Sequence, residues 1–189
     1  MQVTHPNIIE GCKRGDPNCQ KQLYELHKNT LFGVCIRYIP NHADAEDILS
    51  EGFFKILSKI HTFKGDGNFE GWMRRVVVNE CLMFLRKSVN MHLTLELNET
   101  ITHNFEKDDD DVESEYPFTI EEVQDAIQRL PDGYRTVFNL YVIDDLKHRE
   151  IADVLQISIN TSKSQLILAK KRLREILKKK YSFYDKYKK

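Results

Sequence analysis

No apolar run in this 189-residue chain approaches the roughly 20 residues needed to cross a bilayer. The N-terminal MQVTHPNIIEGCKRGD lacks the apolar stretch of a signal peptide. Neither a membrane span nor secretion is expected, and the chain reads as cytoplasmic. Cysteine is scarce: Cys12, Cys19, Cys35 and Cys81 form no C-x-x-C pair and have no histidine at zinc-ligand spacing. Cys35 and Cys81 sit among apolar residues, where free cysteine acts as a small hydrophobe, so a reducing compartment fits better than a disulfide or metal site. The 7 histidines are scattered. Strand-like alternation is missing, so no sheet is expected. Equally absent are G-x-x-x-x-G-K-[ST], G-x-G-x-x-G after a strand, H-E-x-x-H and G-x-S-x-G. The run Asp108–Asp111 lacks the glycine turn and distal glutamate of an EF-hand loop. Nothing calls for a cofactor or metal, and the chain does not read as an enzyme.

What is present is segregated charge. The formal net charge is −1, yet residues 1–87 carry 12 Lys/Arg against 10 Asp/Glu, close to neutral. Residues 88–118 carry 1 against 9, residues 119–158 carry 4 against 8, and residues 159–189 carry 11 against 2. The basic last segment is a nucleic-acid footprint that the whole-chain balance conceals. For the terminal KKYSFYDKYKK a solvated lysine-rich tail explains the charge equally well.

Periodicity divides the chain into a helical zone over 1–88, a linker over 89–118 and a second helical zone over 119–189. In the first, Leu23, Leu26, Leu31, Phe32, Cys35, Ile36 and Ile39 mark a helix stopped at Pro40-Asn41. Ala45, Ile48, Leu49, Gly52, Phe53, Ile56, Leu57 and Ile60 repeat at three and four, a single apolar stripe. HTFKGDGNFEG reads as a loop, and a helix over 69–87, apolar around much of its circumference, should be buried. The linker contains EKDDDDVESE, whose self-repulsion opposes folding. Thr119 with Glu122 forms a capping box, and Leu130-Pro131-Asp132-Gly133 ends that helix. The fold class is all-α: two small helical domains on an acidic tether.

HREIADVLQISINTSKSQLILAKKRLREIL reads as a helix-turn-helix. A first helix over 148–155 turns Ile151, Ala152 and Leu155 inward, and the small Ala152 permits a close crossing. After the turn QIS, Ser158 caps a second helix with Leu166, Ala169, Leu173 and Ile176 on one face. Lys163, Ile167, Lys170, Lys171 and Arg174 occupy the other, a cationic face suited to a major groove. Near its start Thr161, Lys163, Ser164 and Gln165 offer hydroxyl, cationic and amide groups; Gln165 suits an adenine edge and Lys163 a guanine or phosphate.

These residues resemble a known family. LPDGYRTVFNLYVIDDLKHREIADVLQISINTSKSQLILAKKRLREIL resembles region four of the extracytoplasmic-function sigma factors, read here as the smallest members of the primary sigma family. HADAEDILSEGFFKIL and FEGWMRRVVVNECLMFLRK resemble region two, and together the blocks span about three quarters of the chain. The resemblance implies a C-terminal domain that reads a minus-thirty-five element as duplex through Thr161, Lys163, Ser164, Gln165, Lys170 and Lys171. It implies an N-terminal domain that binds core RNA polymerase through Asp47, Ser50, Glu51 and Phe54. Lys64, Asn68, Trp72, Arg75, Asn79 and Arg86 would hold the melted minus-ten element of promoter DNA, with Leu82 on the same stripe. Trp72 by itself is more often core than platform. The loop 63–68 falls where family members receive a flipped base. An anti-sigma factor is the further implied partner. Departures from the pattern are Ser50 for a usual glutamine, Asn160 for a glycine, and Gln165 and Leu168 for arginines. Two rivals differ in what they need: a helix-turn-helix regulator that leaves the resident sigma in place has no use for the region-two block. An anti-sigma-type adaptor of the zinc-bearing kind needs an H-x-x-x-C-x-x-C that this chain lacks.

Overall fold

The computed structural model describes residues 6–65, 67–87 and 118–187, with side chains through Lys180. The stretch read as a linker, residues 89–118, lies outside the described residues except for Phe118. All regular structure among the described residues is helical, in two compact units that divide after Lys87.

The first unit holds α1 (Pro6–Lys13), α2 (Pro17–Tyr38), α3 (His42–Lys59), a 3₁₀ turn at Ile60–Thr62 and α4 (Phe69–Lys87). Local chemistry sets the boundaries. Asp16 caps α2 by accepting from the Asn18 and Cys19 amides, and those bonds hold its carboxyl below the usual range. Pro17 supplies a helix-ready φ at the first position. Asn41 caps α3 through the amides of Ala43 and Asp44. Leu23, Leu31, Cys35 and Tyr38 of α2 meet Ala45, Ile48 and Ile56 of α3 and Met73, Val77 and Cys81 of α4 in the core. Gly52 lets α3 approach α4 closely, since a Cβ there would stand 3.2 Å from Val77 Cγ2. Beside this crossing the buried Glu80 carboxylate is paired by Lys55.

The short α1 has no counterpart in the sequence reading. It packs on α2 through Gly11, where a Cβ would lie 2.2 Å from Cys19 Sγ. Only glycine fits a crossing that tight. Burial, with Cys19 and Asp16 adding to it, pushes the Cys12 thiol up to about 11, so this cysteine is a packing residue.

The second unit holds α5 (Ile120–Gln128), α6 (Asp132–Phe138), a π turn at Asn139–Ile143, α7 (His148–Leu155) and α8 (Ile159–Tyr187). The capping box on α5 is formed on both sides, Glu122 N–H to Thr119 Oγ1 at 3.2 Å and Thr119 N–H to Glu122 Oε2 at 3.0 Å. Helix α8 is the organiser, because α5, α6 and α7 all pack against it. Helix α6 starts at Asp132, inside the stretch read as the stop of the preceding helix, and loosens into the π turn. That widening buries Asn139 and Leu140 and leaves Tyr141, Val142 and Ile143 partly exposed.

Candidate functional site

Three faces carry the residues singled out in the sequence. On α3, the stripe Ala45, Ile48, Leu49, Gly52, Phe53 and Ile56 is buried, which turns Asp47, Ser50, Glu51 and Phe54 to solvent. Phe54 is 73% exposed. The Ser50 hydroxyl donates to the Glu46 carbonyl one turn back at 3.0 Å. What is left outward is a pair of carboxylates four residues apart beside an uncovered ring. A cationic partner with an apolar groove matches that surface.

On α4 the exposed stripe runs Arg75, Asn79, Met83 and Lys87, with Arg86 half-buried beside it. Leu82 was expected on this stripe and is corrected: at 2% exposure it belongs to the core. Met83, at 43%, takes the outward position one residue on. Trp72 is half-buried within an aromatic cluster, stacked on Phe69 at 5.6 Å and tilted against Phe63 at 5.8 Å. It forms one wall of the loop 63–68 more than a free platform. Lys64 is exposed in that loop, whose Gly65 (φ 87°) and Gly67 (φ 94°) take a backbone form closed to most side chains. Asn68 is exposed, but its Oδ1 caps α4 by accepting from the Glu70 and Gly71 amides at 3.0 and 3.3 Å. Its NH₂ alone is left for a ligand.

The third face is the helix-turn-helix. Helix α7 ends on Gln156 in the left-handed region (φ 57°), and Ser158 caps α8 by accepting from the Thr161 amide at 2.9 Å. Lys163, Ile167, Lys170, Lys171 and Arg174 are exposed on one side of α8, as the cationic-face reading required. Three expected base-reading residues are not on that side. Thr161 is 3% exposed, Ser164 6% and Gln165 0%. They continue the inward stripe of Ser162, Leu166 and Ala169 toward the helix start, so they cannot present polar groups to DNA as the helix stands. The error was in treating polarity as exposure. Small hydroxyl residues at a helix crossing pack tightly and bond locally, as Ser164 Oγ does to the Thr161 carbonyl at 3.0 Å. Sequence reasoning also missed His148, which ties α7 to α8 through Ser162 Oγ at 2.9 Å and stacks on Tyr141 at 4.6 Å. Burial first, then Lys163 and Lys170, hold its pKa below the ordinary 6.5. Its place at the head of the motif was the available signal.

Residues 23–90 match the sigma-70 region 2 family and residues 120–173 match sigma-70 region 4. The ECF RNA polymerase sigma factor SigW of Bacillus subtilis is 29% identical over 188 residues, covering 94% of this chain and 99% of the relative. The RNA polymerase sigma-H factor of Pseudomonas aeruginosa is 26% identical over 187 residues, covering 93% and 95%. Among solved structures, the sigma factor RpoE in complex with the anti-sigma factor NepR from Bartonella quintana shares the fold. It has a TM-score of 0.50 and 22% identity, and covers 84% of this chain and 96% of that one.

Two all-helical units, one ending in a helix-turn-helix, define a DNA-binding transcription initiation factor and not an enzyme. Region 2 followed by region 4 on one chain makes the protein a member of the sigma-70 family, a sigma factor that binds core RNA polymerase and directs promoter-specific initiation. The placement under primary sigma factors is corrected, since the matched families are those of sigma-70 and the relatives carry the extracytoplasmic-function name. Among the described residues, no helix is long and apolar enough to cross a membrane.

Proposed function

We propose that the two units divide the work of an extracytoplasmic-function sigma factor acting in the cytoplasm. The outward face of α3, with Asp47, Ser50, Glu51 and Phe54, docks on the clamp helices of core polymerase. Its carboxylates meet a basic rim and Phe54 enters a groove. The face of α4 holds the displaced strand of the minus-ten element: Arg75 and Arg86 neutralise phosphates, and Asn79 reads a base edge. Lys64, Asn68 and Trp72 shape the adjoining loop, where a base leaves the stack. Helix α8 lies in the major groove of the minus-thirty-five element with Lys163, Ile167, Lys170 and Lys171 toward the DNA. Thr161, Ser164 and Gln165 serve there by holding the helix in place. The linker zone 89–118 joins the two domains, 1–88 and 119–189. An anti-sigma protein is the expected controlling partner, since the similar solved sigma factor is held by one.

The observation that carries this reading is the exposed acidic and aromatic face of α3 on the same chain as the cationic face of α8. A regulator that works beside a resident sigma requires only the second. The test is run-off transcription with purified core enzyme and this protein as the sole added factor. Promoter-specific transcripts are the expected result. Binding to DNA with no initiation would favour the regulator instead.

A further inference from the structure

Helix α3 keeps its carboxylates and its ammonium groups apart. From His42 onward the acidic residues are Asp44, Glu46, Asp47 and Glu51, and the first Lys or Arg is Lys55. Lys55 stands four residues after Glu51. Within a helix that is the favoured spacing and order for an ion pair, glutamate first and lysine one turn on. Helix chemistry by itself would therefore neutralise Glu51 with Lys55 and weaken the acidic face.

The Lys55 ammonium instead crosses to α4, where its Nζ donates to Glu80 Oε2. The Glu80 side chain is 6% exposed and that of Lys55 35%. Gly52 admits Glu80 to the crossing, since a Cβ there would lie 3.8 Å from Glu80 Cγ. The outcome of the competition has a physical cause. An exposed pair one turn apart is weak in water, whereas a carboxylate removed from water is strongly destabilising unless a cation meets it. Glu51 is left exposed, with no hydrogen bond or ion pair among the described residues. No second Lys or Arg of α3 stands within one turn of it.

We infer that Glu80 is a positioning residue for core binding: by holding Lys55 at the α3–α4 crossing, it keeps a cation off the docking face and leaves Glu51 unpaired for the polymerase. The inference rests on the proposed docking through α3 and adds to it a residue of α4 that touches no partner. Glu51 then has no bond on its own chain to give up before it meets a basic rim. The charge of Lys55 is balanced at the crossing instead of standing against a rim of its own sign, where like charges oppose association. Glu80 faces inward on α4 while Asn79 beside it faces out, so a change at 80 leaves the exposed stripe of α4 in place.

The test is the affinity of the full-length protein for purified core enzyme, measured by competition fluorescence anisotropy at low and high salt, with thermal unfolding followed alongside. Glu80→Met removes the carboxylate, fills its buried place with an apolar side chain of similar length, and frees Lys55 to turn toward Glu51. It is expected to bind core about fivefold more weakly than wild type at low salt, a gap that closes as salt screens the ammonium. Glu80→Met with Lys55→Met removes the cation too, and is expected to return to within about twofold of wild type. Glu80→Gln keeps shape and a neutral acceptor for Lys55, and is expected to fall between wild type and Glu80→Met. A purely structural role for Glu80 gives a different pattern, in which affinity follows the unfolding midpoint and the loss persists at high salt. Wild-type affinity in Glu80→Met, a double variant as weak as the single one, or a loss indifferent to salt overturns the proposal and leaves docking through α3 standing. If Asp47→Lys with Glu51→Lys binds core as tightly as wild type, docking through α3 fails and the proposal fails with it.

Discussion

Arg135 shows how single side chains hold this fold together where the sequence displays only a motif letter. The arginine of the LP-x-x-YR opening is 2% exposed. Its Nη1 donates to the carbonyls of Leu130 at 2.7 Å and Gln128 at 3.3 Å, and its Nη2 pairs with Asp132. The guanidinium thus satisfies orphan carbonyls at the end of α5 while anchoring the start of α6. Burial pulls its pKa below the usual arginine value, with Asp132 opposing that shift, and a guanidinium stays charged in proteins. Arg135→Leu keeps the apolar stem but strands two carbonyls and the Asp132 carboxylate. It is expected to destabilise the second unit by about 2–4 kcal/mol in urea unfolding. A midpoint within experimental scatter of wild type would show that water replaces the guanidinium at little cost. Glu80 with Lys55 in the first unit has the same logic, a buried charge neutralised by a neighbour across a helix crossing.

At the scale of elements, boundaries were legible where capping chemistry is local. Thr119 with Glu122, Ser158 before α8, and the span His148–Leu155 were all readable, because the partner lies within four residues. Helix α4 emerged over 69–87 for the same reason, with Asn68 as its cap. The rotation of a helix was less legible, since it depends on neighbours distant in sequence. Gln165 faces inward because α8 is enclosed by α5, α6 and α7, and Leu82 does so because α2 and α3 both press on α4. Helix α1 was hidden for a third reason: eight residues are too few to show a period, and its stability comes from the Gly11 contact. The corrected rotation of α8 makes its own prediction. Lys170→Ala with Lys171→Ala removes two exposed cations, so the slope of log affinity against log salt for minus-thirty-five duplex should fall by about 1.8. Sequence preference should change little. Gln165→Ala should behave oppositely, lowering the midpoint of unfolding while leaving the salt slope alone. Binding measured by fluorescence anisotropy across a salt series separates the two. A loss of base preference in Gln165→Ala without loss of stability would return that residue to the DNA face.

For the whole molecule, charge is distributed by task. An acidic and aromatic face on α3 and a cationic face on α8 belong to different units, and an overall net charge of −1 hides both. Residues 1–87, proposed above to hold the minus-ten strand, carry 12 Lys/Arg against 10 Asp/Glu, a poor footprint for independent DNA binding, so that proposed hold requires polymerase to bring the strand to it. On the proposed docking through α3, core binding is the step on which all promoter specificity depends. Asp47→Lys with Glu51→Lys tests this in the full chain. Both carboxylates are exposed, and neither takes part in a hydrogen bond or ion pair among the described residues. Thermal unfolding should therefore move by no more than about 0.5 kcal/mol. Against a basic rim the same two changes place like charges face to face, and affinity for core enzyme should drop by about 2–5 kcal/mol. Co-purification with core and run-off transcription should both disappear, while α8 in the intact variant still binds minus-thirty-five duplex with wild-type salt dependence. Retention of duplex binding is the decisive control, because it shows that the variant is folded and that only its link to polymerase is cut. If the variant still co-purifies at wild-type level, the docking surface lies elsewhere on the first unit, and the exposed Phe54 must be explained by some other partner.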